Sequence, residues 1–148
     1  MDPNKIKQLR DSTGLSFNEI KKSLDETGGD MDKALELLKS QGSLIAGKKA
    51  SRQVKEGIVD TYVHVTRKLG CILELLCETD FVARNEEFRS LAHELSMHIA
   101  AMKPANNEEL LSQLYIKNPT QTVRDLIEQA IAKLGENIQV GKFEVFEV

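Results

Sequence analysis

The spacing of apolar residues changes period near the middle of the chain. Cys71, Leu73, Leu75 and Cys77 recur at every second position, the spacing of one face of a strand. From Phe88 onward, Leu91, Leu95, His98/Ile99 and Met102 recur at every third or fourth position, the spacing of one face of a helix. Residues 77–88 join the two patterns. Thr79 and Asp80 suit a helix start, because a side-chain oxygen there accepts from the free N–H groups of the first turn. Phe81 and Val82 fall at the corner, outside both apolar sets. Two readings of Phe81 follow. It is a hydrophobic staple folded onto the next helix, or it is an exposed aromatic anchor for another protein, flanked by a carboxylate and small residues.

The same periodicities divide the rest of the chain. Residues 4–40 predict three short helices. Ile6 and Leu9 give the first its apolar face, and Gly14 is a C-terminal cap. Ser16 and Glu19 form a capping-box pattern, with Phe17, Ile20 and Leu24 on the apolar face behind it. Asp30 caps the third helix, which carries Met31, Ala34, Leu35 and Leu38 and is expected to stop at Gly42. Residues 43–56, with Lys48, Lys49, Arg52 and Lys55, predict a short exposed basic linker helix. Residues 58–65 predict a strand, 66–70 a hairpin loop and 71–77 a second strand. A helix over about 85–103 is stopped by Pro104. Residues 105–120 are polar and interrupted by Pro119, which predicts a connection with one helical turn. Thr122 caps a helix through Val123, Leu126, Ile127, Ala130, Ile131 and Leu134, closed by Gly135. Residues 140–148 predict a third strand around Phe143, Val145 and Phe146.

The expected fold class is α+β: an N-terminal three-helix ubiquitin-associated-like domain over 1–42, a linker helix over 43–56, and an α+β core over 57–148 with a three-stranded antiparallel sheet and packed helices. On the second strand Ile72 and Leu76 alternate with the first apolar set, so both faces ask for cover. One cover is the helix after it. The other is expected to be a second subunit, on a face drawn from Ile58, Tyr62, Ile72, Leu76 and Phe146 or their alternates.

Composition narrows the function. No apolar run reaches membrane-spanning length, and the first residues lack the basic-then-apolar order of a signal peptide, so a cytoplasmic protein is expected. Cys71 and Cys77 on one strand lie too far apart to bridge each other and read as small core residues. Neither forms a usual ligand spacing with His64, His93 or His98, so no metal is expected. The net charge of −3 divides into +3 over residues 1–55 and −6 over residues 56–148. That basic lobe is too mild for a dedicated nucleic-acid binder. No phosphate-binding glycine loop and no recognisable nucleophile–base–acid order is present, so no catalytic residue and no cofactor are expected.

The heptapeptide Thr79-Asp80-Phe81-Val82-Ala83-Arg84-Asn85 resembles the signature of the bacterial elongation factor Ts family, the guanine-nucleotide exchange factors of elongation factor Tu. Residues 130–138 are similar to a second family signature, a helix-to-strand corner. Leu9-Arg10, Thr13-Gly14, Lys21-Lys22 and Leu24 match the family's N-terminal ubiquitin-associated-like domain. The resemblance implies binding to GDP-bound and nucleotide-free elongation factor Tu. It implies that Thr79, Asp80, Phe81 and Val82 dislodge magnesium from the nucleotide site of Tu, Phe81 entering between helices of the Tu nucleotide domain. Arg10, Phe17, Ala83 and Arg84 are secondary contacts by the same resemblance. Phe17 and Asn18 stand where the family usually has two methionines, and Phe17 is either a contact or core. Longer members insert a helical segment before the last helix, and many carry two α+β units. This chain has one unit, and by resemblance to short members it is expected to form a homodimer through its sheet. A ubiquitin-like or peptide adaptor, argued from the three-helix lobe, and an RNA-associated ribosomal accessory protein, argued from the basic linker, are the other classes. Neither accounts for the corner.

Overall fold

The computed structural model describes residues 2–148. Over these residues the chain is α+β, with helices α1 (Pro3–Thr13), α2 (Phe17–Glu26) and α3 (Met31–Lys49), strands β1 (Glu56–Val63) and β2 (Leu69–Cys77), helices α4 (Asp80–Ala83), α5 (Glu86–Met102) and α6 (Asn107–Ser112), strands β3 (Leu114–Tyr115) and β4 (Asn118–Thr122), helix α7 (Val123–Leu134) and strand β5 (Gln139–Glu147).

The first three helices begin where capping chemistry places them. Asp2 accepts from the Asn4 N–H, Ser16 and Glu19 form a reciprocal capping box, and Asp30 accepts from the N–H groups of Asp32 and Lys33. Leu9, Leu15, Ile20, Leu24, Ala34 and Leu38 form a small core of their own. Gly14 closes α1 in the left-handed region at φ 69°, and a Cβ on it would stand 2.5 Å from Cβ of Lys133 on α7. Glycine there meets two needs: the cap conformation and the close approach of the lobe to α7.

The expected stop at Gly42 is corrected by the structure. α3 runs on to Lys49, so residues 43–49 continue it and residues 50–55 are irregular. Glycine inside a helix costs about 1 kcal/mol against alanine, which packing on both sides offsets. Ala34 and Leu38 lie in the small core, while Ala46 lies in the main one. The basic segment therefore does not form a separate linker helix.

The sheet is antiparallel with order β1-β2-β5. Ile58 faces Leu75 and Tyr62 faces Cys71 across β1 and β2, and Cys71 faces Val145 across β2 and β5. These residues share the face covered by α5, whose Phe88, Leu91, Ala92, Leu95 and Ile99 complete the main core. Ile58 and Tyr62 thus lie on the covered face, not on the open one. Val59, Val63, Ile72 and Phe146 are exposed on the open face. Leu76 lies across the same face with its two methyl groups over Gly57 and Gly141, 3.1 and 3.2 Å from where a Cβ would be on each. Register slips by one residue near Glu74, so Gly141 and Lys142 of β5 bulge opposite it, and the Lys142 N–H donates to Glu74 Oε1 at 2.8 Å. The hairpin loop is residues 64–68; Leu69 and Gly70, expected in it, belong to β2.

Residues 105–120 depart most from expectation, since they hold α6 and the start of a small β3–β4 hairpin. Side-chain bonds to α5, with little apolar patterning, hold that hairpin. Tyr115 Oη donates to Glu94 Oε2 at 2.9 Å, and Lys117 Nζ to Glu94 Oε1 at 2.8 Å. One turn further on, buried His98 accepts the Ile116 N–H on Nδ1 at 3.2 Å, while its Nε2 lies 3.0 Å from Gln113 Oε1. Pro119 is tolerated because β4 is an edge strand.

The His98 contacts require a neutral ring with its proton on Nε2. Burial pushes its pKa below the ordinary histidine value, and the Gln113 bond only partly opposes that. An unfolded histidine binds its proton near pH 6.5, the folded one only lower. The His98 contribution to stability is therefore complete above that value and is lost as pH falls through the lowered folded pKa. Urea midpoints measured at about pH 7.5 and about pH 5.5 should fall in the wild type, and the fall should shrink in His98→Gln.

Candidate functional site

The site is the corner between β2 and α5. β2 ends at Cys77 in the main core, α5 begins nine residues later, and the short connection contains the single turn α4. Thr79 is its N-cap, with an extended backbone, and its Oγ1 accepts from the Val82 N–H at 3.3 Å. Asn85 then caps α5, accepting from the N–H groups of Glu87 and Phe88. Two caps within seven residues leave this turn no slack.

Phe81 is 85% exposed, so its ring is not folded onto α5 as a staple would be. Val82, expected beyond both apolar sets, is instead 6% exposed and, with Ala83, belongs to the main core. Those two side chains fasten the turn from beneath, and Phe81 points away. Asp80 and Arg84, both largely exposed, pair at 2.8 Å along the turn. Such a surface pair contributes at most about 1 kcal/mol; here it aligns the two charges beside the aromatic ring.

Beneath the turn the chain is held from the far end of α7. Glu136 Oε1 accepts the N–H groups of Glu78 and Thr79 at 3.1 and 3.0 Å, and its Oε2 accepts Thr79 Oγ1 at 2.7 Å. Glu78 answers in the other direction, its Oε2 accepting the Asn137 N–H at 2.6 Å. The Cys77 thiol donates to the Thr79 carbonyl oxygen at 3.2 Å. Burial, then the negative charge of Glu136, pushes the Cys77 pKa up to about 11. The group stays a thiol at neutral pH and serves as a donor, not a nucleophile.

Sequence reasoning did not single out Glu78, Glu136 or Asn137 as site residues. Two signals were present, the likeness of residues 130–138 to a second family signature and the position of Glu136 itself. Glu136 follows the helix-closing Gly135, where the C-terminal end of the α7 dipole disfavours an anion. A carboxylate in that place points to another demand on it, and the demand is the neighbouring corner.

The secondary residues are divided. Ala83 and Arg84 are part of the corner. Arg10 is exposed in the last turn of α1, and Phe17, 49% exposed at the first position of α2, is not core. Among the described residues, no hydrogen bond or ion pair joins Arg10 or Phe17 to the corner. Among the same residues, no group of three or more His, Cys, Asp or Glu side chains is arranged to hold a metal ion, and no helix is long and apolar enough to cross a membrane.

A family model described as Elongation factor TS matches residues 78–148, from the corner to the end of β5. The chain is 39% identical to Elongation factor Ts of Thermotoga petrophila, over 97% of this chain and 94% of the relative. It is 38% identical to Elongation factor Ts of Thermodesulfovibrio yellowstonii with the same coverage. A third relative, Elongation factor Ts of Aquifex aeolicus, is 46% identical over 93% of this chain and 49% of its own length. The first alignment runs over 186 positions against 148 residues here, so that relative carries residues this chain lacks.

Replacing the exposed ring should leave folding almost untouched, whereas shortening its buried neighbour should not. Phe81→Ala is expected to change unfolding free energy by less than about 0.5 kcal/mol, and Val82→Ala to lower it by about 2 kcal/mol. Equilibrium urea denaturation measures both, and a loss of about 3–5 kcal/mol in Phe81→Ala would mean a packed ring.

Proposed function

The chain belongs to the elongation factor Ts family of translation elongation factors, and we propose that it is the guanine-nucleotide exchange factor of elongation factor Tu. The observation that carries this reading is the solvent-exposed Phe81 ring on a turn fastened from below, inside the segment that resembles the family signature. Exchange needs no catalytic group, so the chain acts as a non-enzymatic binding protein in the cytoplasm, without cofactor and without direct contact to nucleic acid. It binds nucleotide-free Tu better than GDP-bound Tu, and linkage requires that it weaken GDP affinity by the same factor.

In this mechanism Phe81 is the wedge. Moving a phenylalanine side chain from water to an apolar cleft is worth about 1.5–3 kcal/mol, and each 1.4 kcal/mol is about a tenfold change. One ring therefore supplies roughly a ten- to hundredfold weakening of the nucleotide site, if its burial is available only when that site is displaced. Asp80 and Arg84 orient the approach. Thr79, Val82 and Ala83 hold the turn so that the binding energy moves the partner's magnesium- and phosphate-holding element and is not spent on ordering the corner. Arg10 and Phe17, on the lobe formed by residues 1–42, grip a second patch of Tu. Residues 43–56 connect that lobe to the α+β core over 57–148, which carries the wedge.

The open sheet face supports a homodimer. Val59, Val63, Ile72 and Phe146 are exposed together, with Leu76 lying flat between two glycines. Thr61, Glu74 and Glu144 share this face; exposed apolar side chains gathered on one sheet face mark an interaction surface, and a second copy of the same face would cover them by two-fold symmetry.

Sub-stoichiometric chain should accelerate release of fluorescent GDP from elongation factor Tu, and Phe81→Ala should lose most of that acceleration. Unchanged release at micromolar protein would falsify the exchange reading. Sedimentation equilibrium at tens of micromolar should give about twice the 16.6 kDa chain mass; a mass equal to the single chain rejects the dimer.

A further inference from the structure

The helix-to-strand corner of residues 135–137 is left without a role by the wedge mechanism, yet it is bonded both to the base of the wedge turn and to the segment leaving α3. Glu136 holds the backbone of residues 78 and 79 and orients the Thr79 hydroxyl. That hydroxyl has its proton on Glu136 and a lone pair on the Val82 N–H, so the direction set by Glu136 passes directly to the turn carrying Phe81. Asn137, 2% exposed, faces the other way. Its Nδ2 donates to the carbonyl oxygens of Arg52 at 2.8 Å and Ala50 at 3.4 Å, in the segment leaving α3. Lys49 Nζ donates to the Gly135 carbonyl at 2.9 Å, and Arg52 Nη1 lies 3.7 Å from Glu78 Oε2. Three consecutive residues thus bind the end of α3 and the segment after it, which connect to the helical lobe, on one side and the wedge corner on the other.

We propose that Glu136 and Asn137 are positioning residues for exchange, which fix the direction of the Phe81 turn and its distance from the lobe. The proposal rests on the exchange reading above. Folding alone does not require the Glu136 bonds to residues 78 and 79. Thr79 is exposed and Glu78 only partly buried, so water can satisfy their N–H groups. What a carboxylate taking three donors adds is a single orientation. The geometry also suits a wedge working against a second grip. A partner held at the lobe is displaced by Phe81 only if the two contact points cannot drift apart, and a loosely held corner would spend the binding energy on its own ordering.

The test uses the full chain with Glu136→Ala, Glu136→Gln, Thr79→Val and Thr79→Ser. In the free protein, amide hydrogen exchange at Thr79 and Val82 should rise about tenfold in Glu136→Ala while β2, α5 and α7 keep their protection. With elongation factor Tu, release of fluorescent GDP at saturating Glu136→Ala should fall by about tenfold, with a much smaller change in the concentration giving half the effect. Glu136→Gln, which keeps one strong acceptor, should recover most of the rate. Thr79→Val tests the relay without touching α7 and should match Glu136→Ala, whereas Thr79→Ser should be close to wild type. A saturated rate unchanged in both Glu136→Ala and Thr79→Val overturns the proposal. So does a general rise in exchange across the strands and helices, which marks a purely structural part. If the wild-type chain itself fails to speed release, the exchange reading falls, a result distinct from variants as active as an active wild type.

Discussion

The packing of α5 on the inner face of β2 is the constraint from which the rest follows. β2 is the middle strand, bonded on both sides, and Cys71, Leu73, Leu75 and Cys77 are almost wholly buried beneath the helix. The chain has to leave the strand, turn, and return to the same face within a few residues. That leaves room for one helical turn. With Val82 and Ala83 both directed inward, and about 100° between successive residues in a helix, Phe81 points about 150° from the mean inward direction. Its exposure is thus a geometric result of what lies beneath it. An alanine or a lysine at position 81 would be directed the same way; the aromatic ring is the part that the fold does not demand.

The architecture was legible wherever local chemistry and periodicity agreed. Helix starts at Ser16, Asp30, Thr79 and Thr122 and the ends at Gly14 and Gly135 follow from caps that act within a few residues. The alternation in β2 marked both its type and its buried face. Gly42 misled because a helix-breaking preference of about 1 kcal/mol is smaller than the packing of α3 against two cores. The β3–β4 hairpin was illegible because its anchors, Glu94 and His98, sit on another helix, and the periodicity there reports that helix and not the hairpin. At the site, Phe81 stood out by falling outside the apolar sets, yet Val82 beside it is core, and only the direction of the turn separates them. Glu136 was hidden by sequence distance from residues 78 and 79.

The two cysteines illustrate how one environment gives related outcomes to residues at opposite ends of a strand. Burial pushes both thiols up to about 11, yet only Cys77 lies close enough to an irregular carbonyl, that of Thr79, to complete the corner's hydrogen bonding. Cys71 lies between Tyr62 and Val145 on the neighbouring strands, its thiol 3.6 Å from the carbonyl oxygen of Ile72. The chemistry of a thiol is used here for its small size and weak donor strength.

The bulge in β5 bears on what happens when many copies meet. An apolar sheet with free edges invites strands of other molecules to add in the plane of the sheet. At β5 the extra residue interrupts the ladder opposite Glu74, and the Asn107 side chain takes the carbonyl oxygens of Val140 and Gly141 at 3.1 and 3.3 Å. Head-to-tail growth would need β1 of one molecule to dock on β5 of the next, and the Asn107 bonds obstruct that edge at Val140 and Gly141. Contacts that use the same surface twice, by face or by β1 against β1, close on themselves. The misaligned residue and its Asn107 partner therefore make the start of β5 a poor template for another strand.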